Sequence, residues 1–142
     1  MPRIVFELQV EATAATLAEA LTTQHGIAGW WTDDVSLAGG AEATMTLGFP
    51  IAPRPFQLRI DEAGQQHVAW SSVGEFPPHW AGTKMAWTLK PAGNSTIVHF
   101  VHDGWATDEG PFGSSALTWA RLMDTLKRHA ETGTPAPLFH AA

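Results

Sequence analysis

The strongest constraint on this chain is a single change of hydrophobic period. Apolar residues alternate with polar ones through most of its length, and near the end they recur every three to four residues. Period two marks a strand with one buried face, because successive side chains point to opposite sides of a pleated backbone. Ile4, Phe6, Leu8 and Val10 open the pattern and face inward. It returns in Met45, Leu47 and Phe49, in Phe56, Leu58 and Ile60, and in Val68 and Trp70. Thr83, Met85, Trp87 and Leu89 continue it, and Thr96, Val98, Phe100 and His102 complete it. A brief strand is expected over residues 33–37. Gly39-Gly40, the prolines at 50, 53 and 55, and residues 61–64, 74–78 and 91–94 supply the turns.

After the first strand, Thr13 is positioned to cap a helix through Leu17, Ala20 and Leu21 that Gly26 breaks, and a second helical turn is expected over residues 27–31. From Pro111 the period becomes 3.6, with Phe112, Ala116, Trp119, Met123, Leu126 and Ala130 on one stripe, and Gly133 with Pro135 stops the helix. An open sheet with one apolar face needs a cover, and only this helix is long and apolar enough to supply it. The expected fold class is α+β: a curved antiparallel sheet of about seven strands wrapped around a long C-terminal helix, with two short helices after the first strand. Residues 1–134 read as a single domain and residues 135–142 as a flexible tail.

Composition narrows the function. A chain of 142 residues, 44% hydrophobic and 15% charged, can bury one real core. It has no cysteine, which removes disulfides, thiolate nucleophiles and thiolate metal sites, and no tyrosine, which removes a Tyr general acid. The net charge is −6 and the eight Lys and Arg are scattered, so no basic face offers itself to nucleic acid. No stretch approaches the roughly 18 apolar residues of a membrane span, and the first residues lack a signal-peptide pattern, so a soluble, cytoplasmic protein is expected.

Short pieces of sequence add a resemblance. Leu21-Thr22-Thr23 followed by Gly26 and Trp30-Trp31-Thr32, then Val68-Ala69-Trp70, Trp80-Ala81-Gly82-Thr83, His102-Asp103-Gly104-Trp105, Trp119 and Leu126-Lys127 occur in this order across nearly the whole chain. The arrangement resembles the START-like, or SRPBCC, helix-grip superfamily, which includes plant pathogenesis-related proteins and polyketide cyclases. Within it the pieces are most similar to the homologues of the heat-shock-protein-90 ATPase activator. The resemblance implies the fold and a cavity between sheet and helix; because the fold hosts chaperone activators, lipid carriers and cyclases, it does not select among their activities. Unlike the eukaryotic chaperone activators, this chain is expected to have no separate N-terminal domain.

The residues themselves show no Gly-x-Ser-x-Gly elbow, P-loop, dinucleotide fingerprint or His-Glu-x-x-His helix, so no recognised catalytic motif is present. No cofactor is called for. His99 and His102, three apart on a strand, point to opposite faces and cannot share an ion, so no metal is expected. His102 faces inward, either to orient a polar ligand group or as a hydrogen-bonded core histidine. Asp33, Asp34 and Glu75 read as solvated loop charges, and Arg54 as an exposed strand-end cation that could meet a ligand carboxylate.

Trp31, Trp70, Trp87, Phe112 and Trp119, with Met85 and Met123, form the candidate pocket for an apolar or aromatic ligand. Met45, Phe100 and His102 complete the expected wall. The bland alternative is that these residues simply fill a core. Three functions remain open: a small-ligand binding domain, a cavity enzyme of cyclase or hydrolase type, and a chaperone-associated stress protein. Either a monomer or a homodimer is compatible with the sequence.

Overall fold

The computed structural model describes residues 2–39 and 43–140. β1 (Ile4–Val10) leads into α1 (Ala14–Thr22) and α2 (Gln24–Ala28). β2 (Val35–Ala38), β3 (Thr44–Leu47), β4 (Phe56–Ala63), β5 (His67–Val73), β6 (Lys84–Ala92) and β7 (Ser95–Asp103) follow, and α3 (Pro111–Thr132) is the last helix. The strands pair antiparallel in one curved sheet in the order β1-β7-β6-β5-β4-β3-β2. Sequence neighbours from β2 to β7 are spatial neighbours, as short turns dictate. β1 and β2 therefore occupy opposite edges, and α1 and α2 carry the chain across the width of the sheet.

Alternation places the core where the period predicts. Thr96, Val98, Phe100 and His102 of β7 are fully buried, and so are Met85, Trp87 and Leu89 of β6, paired so that Trp87 faces Phe100 and Met85 faces His102. A register shift between Ile60 and Glu62 lets two residues of β4 oppose one of β5, which bends the strand and adds to the curvature. Because of that bulge β4 runs on to Ala63, and the turn expected at residues 61–64 falls later. The brief strand expected at residues 33–37 is β2 at Val35–Ala38, and Phe49 lies beyond the end of β3. Of the Gly39-Gly40 turn, Gly40 lies outside the described residues.

The two short helices divide at Thr23 rather than at Gly26. Thr13 Oγ1 accepts from the Thr16 amide at 3.1 Å and starts α1. Thr23 ends that helix and, through its hydroxyl, accepts from the Gly26 amide at 2.9 Å to start α2. Gly29, just past α2, has a separate steric reason: a Cβ there would fall 2.3 Å from the His129 ring of α3. A larger residue there would displace the His129 ring.

α3 lays Trp119, Leu122, Met123 and Leu126 on the concave face, with Phe112, Ala116 and Ala130 partly buried along the same stripe. Gly133 adopts φ +73° and its amide caps the helix on the His129 carbonyl at 2.8 Å. Residues 135–140 of the segment expected to be flexible instead lie against the domain. Amides of Ala136, Leu138 and Phe139 donate to the carbonyls of Gly29, Trp30 and Trp31 at 3.0, 3.1 and 2.9 Å, and the Asp33 amide returns a bond to Phe139. Composition undervalued this segment because its two large apolar residues, Leu138 and Phe139, are anchored by backbone bonds that no hydropathy pattern reveals.

Trp119 is 1% exposed at the centre of the covering stripe. Trp119→Ala is expected to lower unfolding free energy by about 3–5 kcal/mol, read by chemical denaturation. A loss under about 1 kcal/mol would mean that the stripe does not hold the helix to the sheet.

Candidate functional site

The space between helix and sheet is closed along most of its length by indole rings. All seven tryptophans join one network: Trp31 stacks on Trp30 and Trp70 with centroids 5.6 and 5.8 Å apart, and Trp80 stacks on Trp119 at 6.0 Å. Trp87 sits edge-on to Trp30, Trp70 and Trp119, while Trp105 packs against His102 and Phe112. Rings of this size consume the volume that a deep cavity would need.

The open space lies instead at one end. A cavity of about 320 Å³ is bounded by residues 49–56, residues 76–80, the N-terminal half of α3 and the tail. Trp31, Phe49, Phe56, Trp80, Trp119 and Phe139 give it aromatic walls. Phe49 meets Phe56 and Phe139 edge-to-face at 4.8 and 5.1 Å, and Phe56 meets Trp80 at 5.1 Å. Ser114, Ser115, Thr118 and His79 are the polar residues of the lining. Ser114 Oγ donates to the Pro111 carbonyl and Thr118 Oγ1 to the Ser114 carbonyl, so both keep only acceptor capacity. Ser115 Oγ accepts from Trp80 Nε1 at 3.3 Å, and its own proton has no partner among the described residues. His79 stacks on Trp105 at 6.0 Å, and its desolvation there lowers its pKa below the usual imidazole value.

Of the expected pocket residues, only Trp31 and Trp119 line this cavity. Met45, Trp70, Met85, Trp87 and Phe100 are fully buried core residues, Met123 is buried on the helix stripe, and Phe112 packs on Trp105. Parity identified the inward faces correctly, but it cannot tell which inward residues meet one another and which meet a void. Of the missed residues, Phe49 and Phe56 stand at the ends of alternating runs, whereas Phe76, Trp80 and Phe139 come from aperiodic segments and Ser115 and Thr118 from a helix flank, where no period points to them. Their one available signal was the clustering of aromatic residues between prolines. Asp33, Asp34, Glu75 and Arg54 lie outside the cavity lining; Asp34 and Arg54 border a separate groove, with the Arg54 guanidinium 5.8 Å from the Phe76 ring centre.

His102 is a core histidine rather than a ligand-facing one. Trp119 Nε1–H can only donate, so His102 Nδ1, 3.1 Å away, must accept, and the proton of the neutral ring sits on Nε2. Nε2 then donates to Thr83 Oγ1 at 2.8 Å, and Thr83 donates to the Trp80 carbonyl at 2.7 Å. Both ring nitrogens are thus committed to side chains. His99, on the outer face, pairs with Glu7 at 3.4 Å. Burial, and to a lesser degree the neighbouring His79, push the His102 pKa down to about 3, against a small opposing pull from Asp103.

No family model and no curated protein matches the chain by sequence. Solved structures do. The Aha1 dimer from Colwellia psychrerythraea superposes with a TM-score of 0.84 at 28% identity, covering 94% of this chain and 98% of that one. The protein SSP2350 from Staphylococcus saprophyticus gives 0.75 at 20% identity over 97% of this chain and all of that one. DynU16, from the dynemicin biosynthetic locus, gives 0.74 at 19% identity over 98% of this chain and 51% of its own length. The fold is the START-like helix-grip fold, shared with the Aha1 dimer structure.

The His102 shift has a definite sign. The unfolded imidazole binds a proton near pH 6.5 and the folded one only near pH 3, so protonation favours unfolding as pH falls between these values. Stability is expected to decline there by up to about 1.4 kcal/mol per pH unit from this group. His102→Gln should flatten that part of the curve, measured by denaturant midpoints from pH 7 to 4. Identical slopes in wild type and variant would exclude His102 as the acid-sensitive group.

Proposed function

We propose that this domain binds a small apolar or aromatic ligand in the cavity between the N-terminal half of α3 and residues 49–56 and 76–80. The observation that carries this is the lining itself: rings on several sides, with hydroxyls and one imidazole as its polar groups. A volume of about 320 Å³ falls at the lower end of the ~300–1,000 Å³ typical of ligand sites, enough for a compound of two or three fused rings. A cavity left open forfeits dispersion contacts along its walls, and a flat apolar guest restores them. The uncommitted Ser115 proton supports a ligand with one acceptor, such as a carbonyl or ether oxygen. Cyclisation or hydrolysis would call for converging acid and base groups, and among the described residues no carboxylate enters the lining, which favours holding a ligand over transforming it.

A chaperone-associated role, with or without self-association, is the second reading, favoured by the 28% identity to the Aha1 dimer. Ile51 and Leu117, 90% and 72% exposed, are apolar groups that a partner could cover. Sedimentation of the purified chain tests self-association: a monomer at tens of micromolar removes the homodimer.

Titration of planar aromatics followed by Trp emission tests the first reading, since Trp31, Trp80 and Trp119 all border the site. Micromolar quenching is expected, abolished by Ser115→Trp, which fills the cavity, with the melting temperature kept. Quenching that survives in a folded Ser115→Trp variant would move binding elsewhere.

A further inference from the structure

One of the cavity's irregular walls comes from the segment beyond α3. Phe139 reaches the cavity from this tail, with its ring 5.1 Å from Phe49. The tail is held by the amides of Ala136, Leu138 and Phe139 on the carbonyls of Gly29, Trp30 and Trp31, by the Asp33 amide on the Phe139 carbonyl, and by His129 Nδ1 donating to the Thr134 carbonyl at 3.3 Å. Its partners are thus the backbone just beyond α2, including that of Trp31, another cavity wall. Pro135 and Pro137 have no amide to leave unpaired and fix φ, so the segment loses little conformational freedom when it docks. Leu138 and Phe139 are both only partly buried. A terminal segment held by a few backbone bonds and two half-buried side chains can detach without disturbing the core, because local opening involves only the contacts it breaks.

We propose that residues 134–140 act as a detachable strap over the cavity, and that the Phe139 ring sets the size of the ligand admitted. This rests on the reading of the cavity as an apolar ligand site. When the strap is docked, Phe139 closes the side of the cavity next to Phe49 and Trp31. When it detaches, the same side opens to solvent while α3 and the sheet stay packed through Trp119 and Leu126. Entry and exit then require only the strap to move, and the length of the residue 139 side chain decides how large a guest fits beneath it.

The experiment compares 1-naphthol with 1-hydroxypyrene, two and four rings with one hydroxyl each, by calorimetric titration of the full chain and of Phe139→Ala and Phe139→Trp. Removing ring volume should favour the larger probe, so the affinity ratio of hydroxypyrene to naphthol should rise about tenfold in Phe139→Ala and fall in Phe139→Trp. Ratios within about twofold of wild type in both variants, with binding intact, would overturn the proposal while leaving the ligand reading standing. If wild type binds neither probe, the ligand reading fails and size selection with it, and the strap then rests on amide hydrogen exchange. The Leu138 and Phe139 amides are expected to exchange well ahead of the Phe100 amide. Equal protection at all three positions would show that the tail opens only with the whole domain, and the strap would be ruled out.

Discussion

The arrangement depends on one hydrogen-bonded line through the core: Trp119 of α3 to His102 of β7, His102 to Thr83, and Thr83 to the Trp80 carbonyl. Burial of apolar area brings the covering helix to the sheet, but that force is non-directional and would tolerate a sliding helix. A buried donor and acceptor that must meet remove this freedom, since an unmade bond in the interior costs about 1–3 kcal/mol. The line fixes the height of α3 over β6 and β7. It also fixes Trp80, whose ring stacks on Trp119 and whose indole nitrogen bonds Ser115 one turn earlier in the helix. The cavity's inner wall is set by the same bonds that set the fold.

The tryptophan network has a cost that helps explain where the cavity lies. Nε1 of Trp70, Trp87 and Trp105 is buried without a hydrogen-bond partner among the described residues. The domain tolerates these groups because the rings that carry them fill the middle of the grip with large apolar surfaces at close range. The cavity opens where the sheet runs out and aperiodic segments take over. There Phe56 stands at the first residue of β4, while Phe49, Phe76 and Phe139 stand on irregular segments whose positions answer to prolines and to the docking of the tail rather than to a repeating backbone. Rigid indoles at the inner end and a strap at the outer end give the site a fixed floor and a movable side.

The chain's periods by themselves determined a great deal. Alternation from Ile4 to His102 and the stripe from Phe112 to Ala130 required an antiparallel sheet covered by one helix, because each pattern leaves an apolar face that only the other can bury. Inward parity of Met85, Trp87, Phe100 and His102 was likewise legible, and all four are buried. Thr23 and the bulge at Ile60/Glu62 were not, since a capping hydroxyl or an extra residue in a strand leaves no mark on a period. What only the tertiary structure decided was the destination of each inward side chain. Met85, Trp87 and His102 met partners and became core; Phe49, Trp80 and Phe139 converged from distant loops to border a space. Period fixes direction relative to a local backbone, whereas filling or leaving a volume depends on the summed shapes of residues far apart in the chain, and those are defined only once the helix and the tail have docked.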